Sequence, residues 1–148
     1  MRPSRCLMPL ALLFALLASC GAALAADACK SRGELDVMYC DANGESHWRD
    51  VEVEWIEERN FSKLSARLPA SGIIFRETSG DYDLSWHPAP RRQYIINLDG
   101  GVQITASDGQ ARTIGAGEVV LVEDTTGKGH LSKSVGGKMR RSIFVPVE

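Results

Sequence analysis

The stretch Gly80–Gly100, GDYDLSWHPAPRRQYIINLDG, decides how this 148-residue chain reads. Two strand-like runs flank a polar centre, His87 to Gln93, that carries a histidine, two arginines and a glutamine. Tyr82, Leu84 and Trp86 alternate with Asp83, Ser85 and His87, the period of a half-buried strand. Gln93 to Leu98 is rich in aromatic and β-branched residues and fits a more deeply buried strand. Between the two, Pro88 and Pro90 remove ladder donors and hold the chain in an extended bend. Asp99-Gly100 has the chemistry of a two-residue hairpin turn, in which both central positions want positive φ. It predicts that the next alternating run, Val102 to Ala106, folds back beside Gln93–Leu98.

Outward from this centre the same grammar repeats. Short strands are expected over Asp50–Trp55, Leu64–Leu68 and Ile73–Glu77 on one side. On the other they are expected over Ala111–Ile114, Val119–Glu123, His130–Val135 and Arg140–Val147. Ile56–Ser62 is charged and reads as a loop or one helical turn. Gly136-Gly137 reads as a hairpin turn. Ala26–Ser46 is polar and reads as an arm and a turn, with room for a short strand at Leu35–Cys40. Many short strands at even spacing, glycine turns and almost no helical periodicity predict an all-β sandwich or barrel.

The bulk numbers set bounds. The chain is long enough for one domain with a sizeable core. Hydrophobic residues make up 44% and charged residues 24%, as in ordinary globular proteins. With a net charge of −2, nothing in the composition suggests a nucleic-acid surface. No internal apolar run is long enough for a membrane-spanning helix.

The N-terminus reads as an export signal. Arg2 and Arg5 form a basic region, Leu7–Ala18 an apolar one, and Ala23-Leu24-Ala25 a small-x-small cleavage site. Leu17-Ala18-Ser19-Cys20 also resembles a bacterial lipobox, in which Cys20 would be lipidated and anchor the protein to a membrane. Both readings place the protein outside the cytoplasm, periplasmic or secreted in the first case and lipid-anchored facing the periplasm in the second. In an oxidising compartment Cys29 and Cys40 can pair, which would stabilise by about 2–4 kcal/mol. The alternative is two thiols in a loose arm. Their spacing is not CxxC, so neither a thioredoxin-like centre nor a zinc knuckle is expected.

At this point the sequence resembles the cupins, small double-stranded β-helix barrels. In the first cupin motif a glycine precedes His-x-His, then a glutamate, then a second glycine. Here Gly80 is followed by six residues, His87, Pro88 and Ala89, then three residues, Gln93, six residues and Gly100. In the second motif a glycine precedes Pro-x-Gly, a histidine and an asparagine. Here Gly117 is followed by Glu123 at the proline position, His130 after a loop two residues longer than usual, and Ser134 at the asparagine position. The resemblance covers roughly Tyr39 to Val147. It implies a cupin-type jelly-roll barrel over residues 47–148, behind a signal segment (1–25) and an arm (26–46), and pairing as a homodimer.

The resemblance also implies a metal site, with departures. Metal-binding cupins hold one divalent ion with three histidines and a glutamate. His87 and His130 match two of the histidines, Ala89 replaces the third, and Gln93 replaces the carboxylate. The implied ion is Fe, Mn, Ni or Zn; neutral imidazole suits Fe, Zn, Ni or Cu, whereas a carboxamide oxygen is a poor ligand and carries no charge. Asp83, Glu123 or Asp124 would restore the charge if one faced inward. Two readings follow. One is a pocket that binds a small molecule at His87, Gln93 and His130, with Arg92 a further candidate. The other is a metal-dependent enzyme, an oxygenase or isomerase, using the same residues.

Each residue has a plainer reading too. His87 can cap a strand, and His130 can be a satisfied polar residue at the barrel mouth. His47, in a polar turn, reads as exposed. Arg92 can clamp an anion with its planar fork, or pair with Glu123 or Asp124. Trp86 can wall the pocket or pack in the core. GxSxG, HExxH and GxxxxGK[ST] are all absent.

Overall fold

The computed structural model describes residues 33–148. The Ala25 and Cys20 signal readings and Cys29 lie outside these residues. Twelve strands follow in order: β1 (Glu34–Cys40), β2 (Ser46–Glu52), β3 (Trp55–Arg59), β4 (Ser62–Ser65), β5 (Ile74–Thr78), β6 (Asp83–His87), β7 (Gln93–Asp99), β8 (Val102–Ala106), β9 (Ala111–Ile114), β10 (Val119–Val122), β11 (His130–Ser134) and β12 (Arg140–Pro146).

Two sheets form the body. One is ordered β2-β1-β10-β7-β12-β5, the other β6-β11-β8-β9. The last eight strands, β5 to β12, alternate between the two layers in the jelly-roll order, and only β8 and β9 are hairpin neighbours within a layer. Inward-facing residues of both layers make the core: Met38, Val102, Ile104, Ala106, Ile114, Val120, Val122 and Phe144 are all buried. Each larger apolar side chain so placed contributes roughly 1.5–3 kcal/mol. β7, β8 and β12 bury every second residue, as their alternation predicts.

The structure corrects several local expectations. Asp99-Gly100 does not close a hairpin between β7 and β8, because these strands lie in different sheets. Gly100 has φ +64°, and a Cβ there would overlap the Met139 carbonyl and Arg140. Asp99 is held by Arg141, whose backbone N–H and Nε each donate at 2.7 Å. The turn is therefore a corner that sends the chain across the barrel. Gly136-Gly137, with φ +63° and +64°, is a second such corner between β11 and β12. The short strand with room at Leu35–Cys40 is present as β1, which pairs along its length with β2 and runs parallel to β10, with Asp36, Val37 and Met38 buried.

The charged run after Trp55 is neither loop nor helical turn. It forms the β3–β4 hairpin, which stands apart from both main sheets. Of the expected strand Leu64–Leu68 only its start is strand, as the end of β4. Val51 and Trp55 are exposed, because β2 is the outer strand of its sheet and β3 leaves it.

Candidate functional site

A β-bulge builds the site. In the β6–β11 pair His87 lies opposite His130 and Leu84 opposite Ser132. Two residues of β6, Ser85 and Trp86, thus face the single Leu131. The extra residue flips the side-chain phase. Leu84 and His87, three apart, both face the barrel interior, while Trp86 is turned out and half exposed.

The two imidazoles meet there, with ring centroids 4.4 Å apart and planes at 58°. Each is fixed through Nδ1. His130 Nδ1 lies 2.6 Å from Oδ2 of Asp124, and Asp124 is fully buried. His87 Nδ1 lies 2.7 Å from the Ser85 carbonyl. A carbonyl only accepts, so His87 Nδ1–H donates. The Asp124 carboxylate likewise accepts a hydrogen bond from His130 Nδ1–H. The Nε2 of each ring has no hydrogen-bond partner among the described residues. Burial, first of all, pushes the His87 pKa below its ordinary value, helped by His130 and Arg76; the Ser85 carbonyl and Asp124 pull the other way.

Loop contacts lock the pair in place. The Ala89 N–H donates to the Asp124 carbonyl at 3.0 Å, joining the proline bend to the loop before His130. Ser46 Oγ donates to the Gly129 carbonyl at 2.6 Å. Gln93, the first residue of β7, is buried between Val122 and Pro146 and faces the same space.

That space is a cavity of about 330 Å³ between the two sheets, with mostly apolar walls such as Leu84, Ile95, Ile104 and Phe144. His87, Gln93 and His130 all line it, so the structure brings these three sequence candidates together. It does not bring Arg92 there. Arg92 is exposed, donates from Nε to Glu123 at 2.8 Å and from Nη1 to the Glu148 carbonyl at 2.9 Å. Trp86 is absent from the lining because the bulge turns it away.

Sequence reasoning missed Asp124's role, Arg76 and Arg140. Both arginines line the cavity. The signal for Arg140 was present: it shares the phase of Ser142 and Phe144 along β12, and that phase is the buried one.

The donors suit a resident dication poorly. Ala89 lines the cavity where the third histidine would stand. Asp124 is engaged with His130 Nδ1, Glu123 with Arg49 and Arg92, and Asp83 is exposed. Among the described residues no group of three or more His, Cys, Asp or Glu side chains is placed to hold a metal ion. Two imidazoles and one carboxamide fall short of the three or four good ligands of a metal centre.

No protein-family profile matches the chain, and no curated protein sequence does. Among solved structures it is similar to a cupin-2 domain containing protein from Shewanella frigidimarina, at 20% identity and TM-score 0.41, over 64% of this chain and 78% of that one. It is also similar to the cupin domain of Schizosaccharomyces pombe Cnp3, at 16% identity and TM-score 0.43, over 80% of this chain and 90% of that one. With β5 to β12 wound between two four-strand layers, the described residues have a jelly-roll fold.

Proposed function

We propose that the protein is a small-molecule binding module, exported by its N-terminal signal, whose ligand sits in the barrel cavity against His87, Gln93 and His130. One observation carries this reading: an apolar cavity of about 330 Å³ with three convergent polar side chains at one end. Such a combination is the usual form of a ligand pocket. The paired Nε2 atoms accept or donate according to protonation, and the Gln93 amide does both, so this end can orient a polar group without a fixed charge.

Native mass spectrometry of protein purified without an affinity tag tests it. A bound small molecule released on unfolding is expected, and Leu84→Trp, which fills the cavity mouth, should abolish it. Retention in the Leu84→Trp protein places the ligand elsewhere. Elemental analysis of the same sample decides the metal-dependent reading, which the Nδ1 anchoring of both rings favours, since histidine ligands are held in this way. One metal per chain would replace the binding-module reading.

A second copy of the chain completes this proposal. Among the described residues β5 ends its sheet with one side unpaired, and an open strand edge invites a partner. The 55–75 segment, which leads into and includes the start of β5, exposes Ile56, Phe61, Leu64, Leu68, Ile73 and Phe75. A lone two-stranded hairpin is marginal in water, so β3–β4 gains most from being covered. Sedimentation at micromolar concentration should show a dimer; a monomer there excludes it.

A further inference from the structure

Two guanidinium groups belong to the cavity wall, one at the Asn97 end of β7 and one on the β5 strand. They are those of Arg140 and Arg76. Arg140 is only 3% exposed. Its Nη1 donates to Asn97 Oδ1 at 3.2 Å, a neutral acceptor, and its Nε is buried without a partner. Arg76 lies over the rings of Phe144 and Tyr82, at 5.3 and 5.5 Å. Among the described residues neither arginine is in an ion pair with a carboxylate.

The strand register gathers more unsatisfied groups here. Arg140 lies opposite Thr78 and Ser142 opposite Arg76, all on the inner face of the β5–β12 pair. Thr78 Oγ1 and Ser142 Oγ are also buried without partners. A fold that buries a cation ordinarily pairs it, because an unpaired buried charge is costly. Burial and Arg76 together already lower the Arg140 pKa. What this end lacks is an anion rich in acceptors.

We propose that Arg140 and Arg76 form the carboxylate-binding subsite of a small organic acid, whose apolar body fills the cavity and whose far end reaches His87, Gln93 and His130. This rests on the reading that the cavity takes a small molecule. The geometry suits it. β7 runs from Gln93, at the histidine end, to Asn97, under Arg140. Four residues of strand span about 13 Å. Between them the walls are Ile95, Ile104, Val102 and Phe144, which favour hydrocarbon. A planar guanidinium grips a carboxylate with two parallel N–H donors.

Isothermal titration of tag-free protein with hexanoate and with hexanamide tests the assignment, since the probes match in shape and differ in charge. Hexanoate should bind at least tenfold more tightly. Arg140→Gln and Arg76→Gln should each cut hexanoate affinity at least tenfold and leave hexanamide unchanged. If Arg140→Gln fails to fold, Arg76→Gln, at a less buried position, decides alone. Equal affinity for the two probes, or no selective loss in the variants, overturns the subsite and leaves the cavity reading standing. Binding of neither probe overturns both. Competition by inorganic phosphate as strong as by hexanoate marks a site for an adventitious ion only and overturns the organic-acid assignment.

Discussion

Asp124 and His130, six residues apart, meet at 2.6 Å inside the barrel, with the carboxylate fully buried. The loop between them is also tied down at the Lys128 N–H, which donates to the Gly44 carbonyl at 2.9 Å, and at the Gly129 carbonyl, which accepts from Ser46 Oγ. Asp124→Ala should remove the partner of His130 Nδ1 and leave the ring free to turn. A hydrogen bond to a charged group contributes about 1.5–3 kcal/mol, so a loss of that size is expected in urea unfolding. Ligand retention in the native mass spectrum should fall with it. A variant of unchanged stability would show that the pair carries no structural weight.

Gln93 stands where the resemblance to metal-binding cupins would put a carboxylate, and it faces the same cavity as the two histidines. Gln93→Glu should therefore supply the missing anionic ligand. Zn²⁺ or Co²⁺ affinity should rise at least tenfold over wild type, read by titration calorimetry. In Gln93→Glu with His130→Ala the gain should vanish, because one imidazole and one carboxylate are too few ligands. A gain that survives His130→Ala would mean that His130 Nε2 does not share the site.

The histidines should titrate apart. Burial lowers the His87 pKa, whereas Asp108, 2.8 Å from His47 Nδ1, raises that of His47 with help from Asp41. In an NMR titration His87 should therefore give a midpoint below 6.5 and His47 one above it. The linked stability effects have opposite signs. Below about pH 6.5 the unfolded chain takes up a proton at His87 that the fold resists, so stability is lost as pH falls toward the lowered folded value. His47 contributes stability that is fully present below its unfolded pKa and lost as pH rises through its raised one. Between pH 7.5 and 5.5 the wild type should lose stability relative to His87→Gln. A pH-independent difference would contradict the depressed value.

How much of this was legible in the sequence follows from what each signal encodes. Strand phase is local, so the alternation in Val102–Ala106 was legible, and every second residue there is buried. Partner choice is not local. Asp99-Gly100 carries the same turn chemistry whether the next strand lies alongside or crosses to the other sheet, and it crosses. Trp86 was misplaced for a related reason: the bulge opposite Leu131 depends on β11, far along the chain. His87, Gln93 and His130 were found through motif spacing. Arg140 was hidden because an arginine on a strand reads as outward, and only its phase with Phe144 says otherwise. Asp124 was weighed as a charge near the metal positions and as a partner for Arg92, because no spacing rule links it to His130 Nδ1.

Gly129 is where the histidine pair is most exposed to a single change. Its φ is +70°, and a Cβ there would overlap the carbonyl of His87 and the nitrogen of Pro88. Both obstacles are backbone, so neither can swing aside as a side chain would. Gly129→Ala must either push the proline bend outward or pull His130 off the Asp124 carboxylate. Gly109 provides the comparison. It too has positive φ, +91°, but open space where a Cβ would go. Gly109→Ala should therefore cost only the left-handed backbone penalty, about 1–2 kcal/mol. Gly129→Ala adds a steric term and should cost more than about 3 kcal/mol, beyond the usual range for one substitution. Urea unfolding of the two variants side by side measures the difference. Equal costs would mean that the loop before His130 yields freely, and that the 4.4 Å approach of the two imidazoles is not held by backbone packing at Gly129.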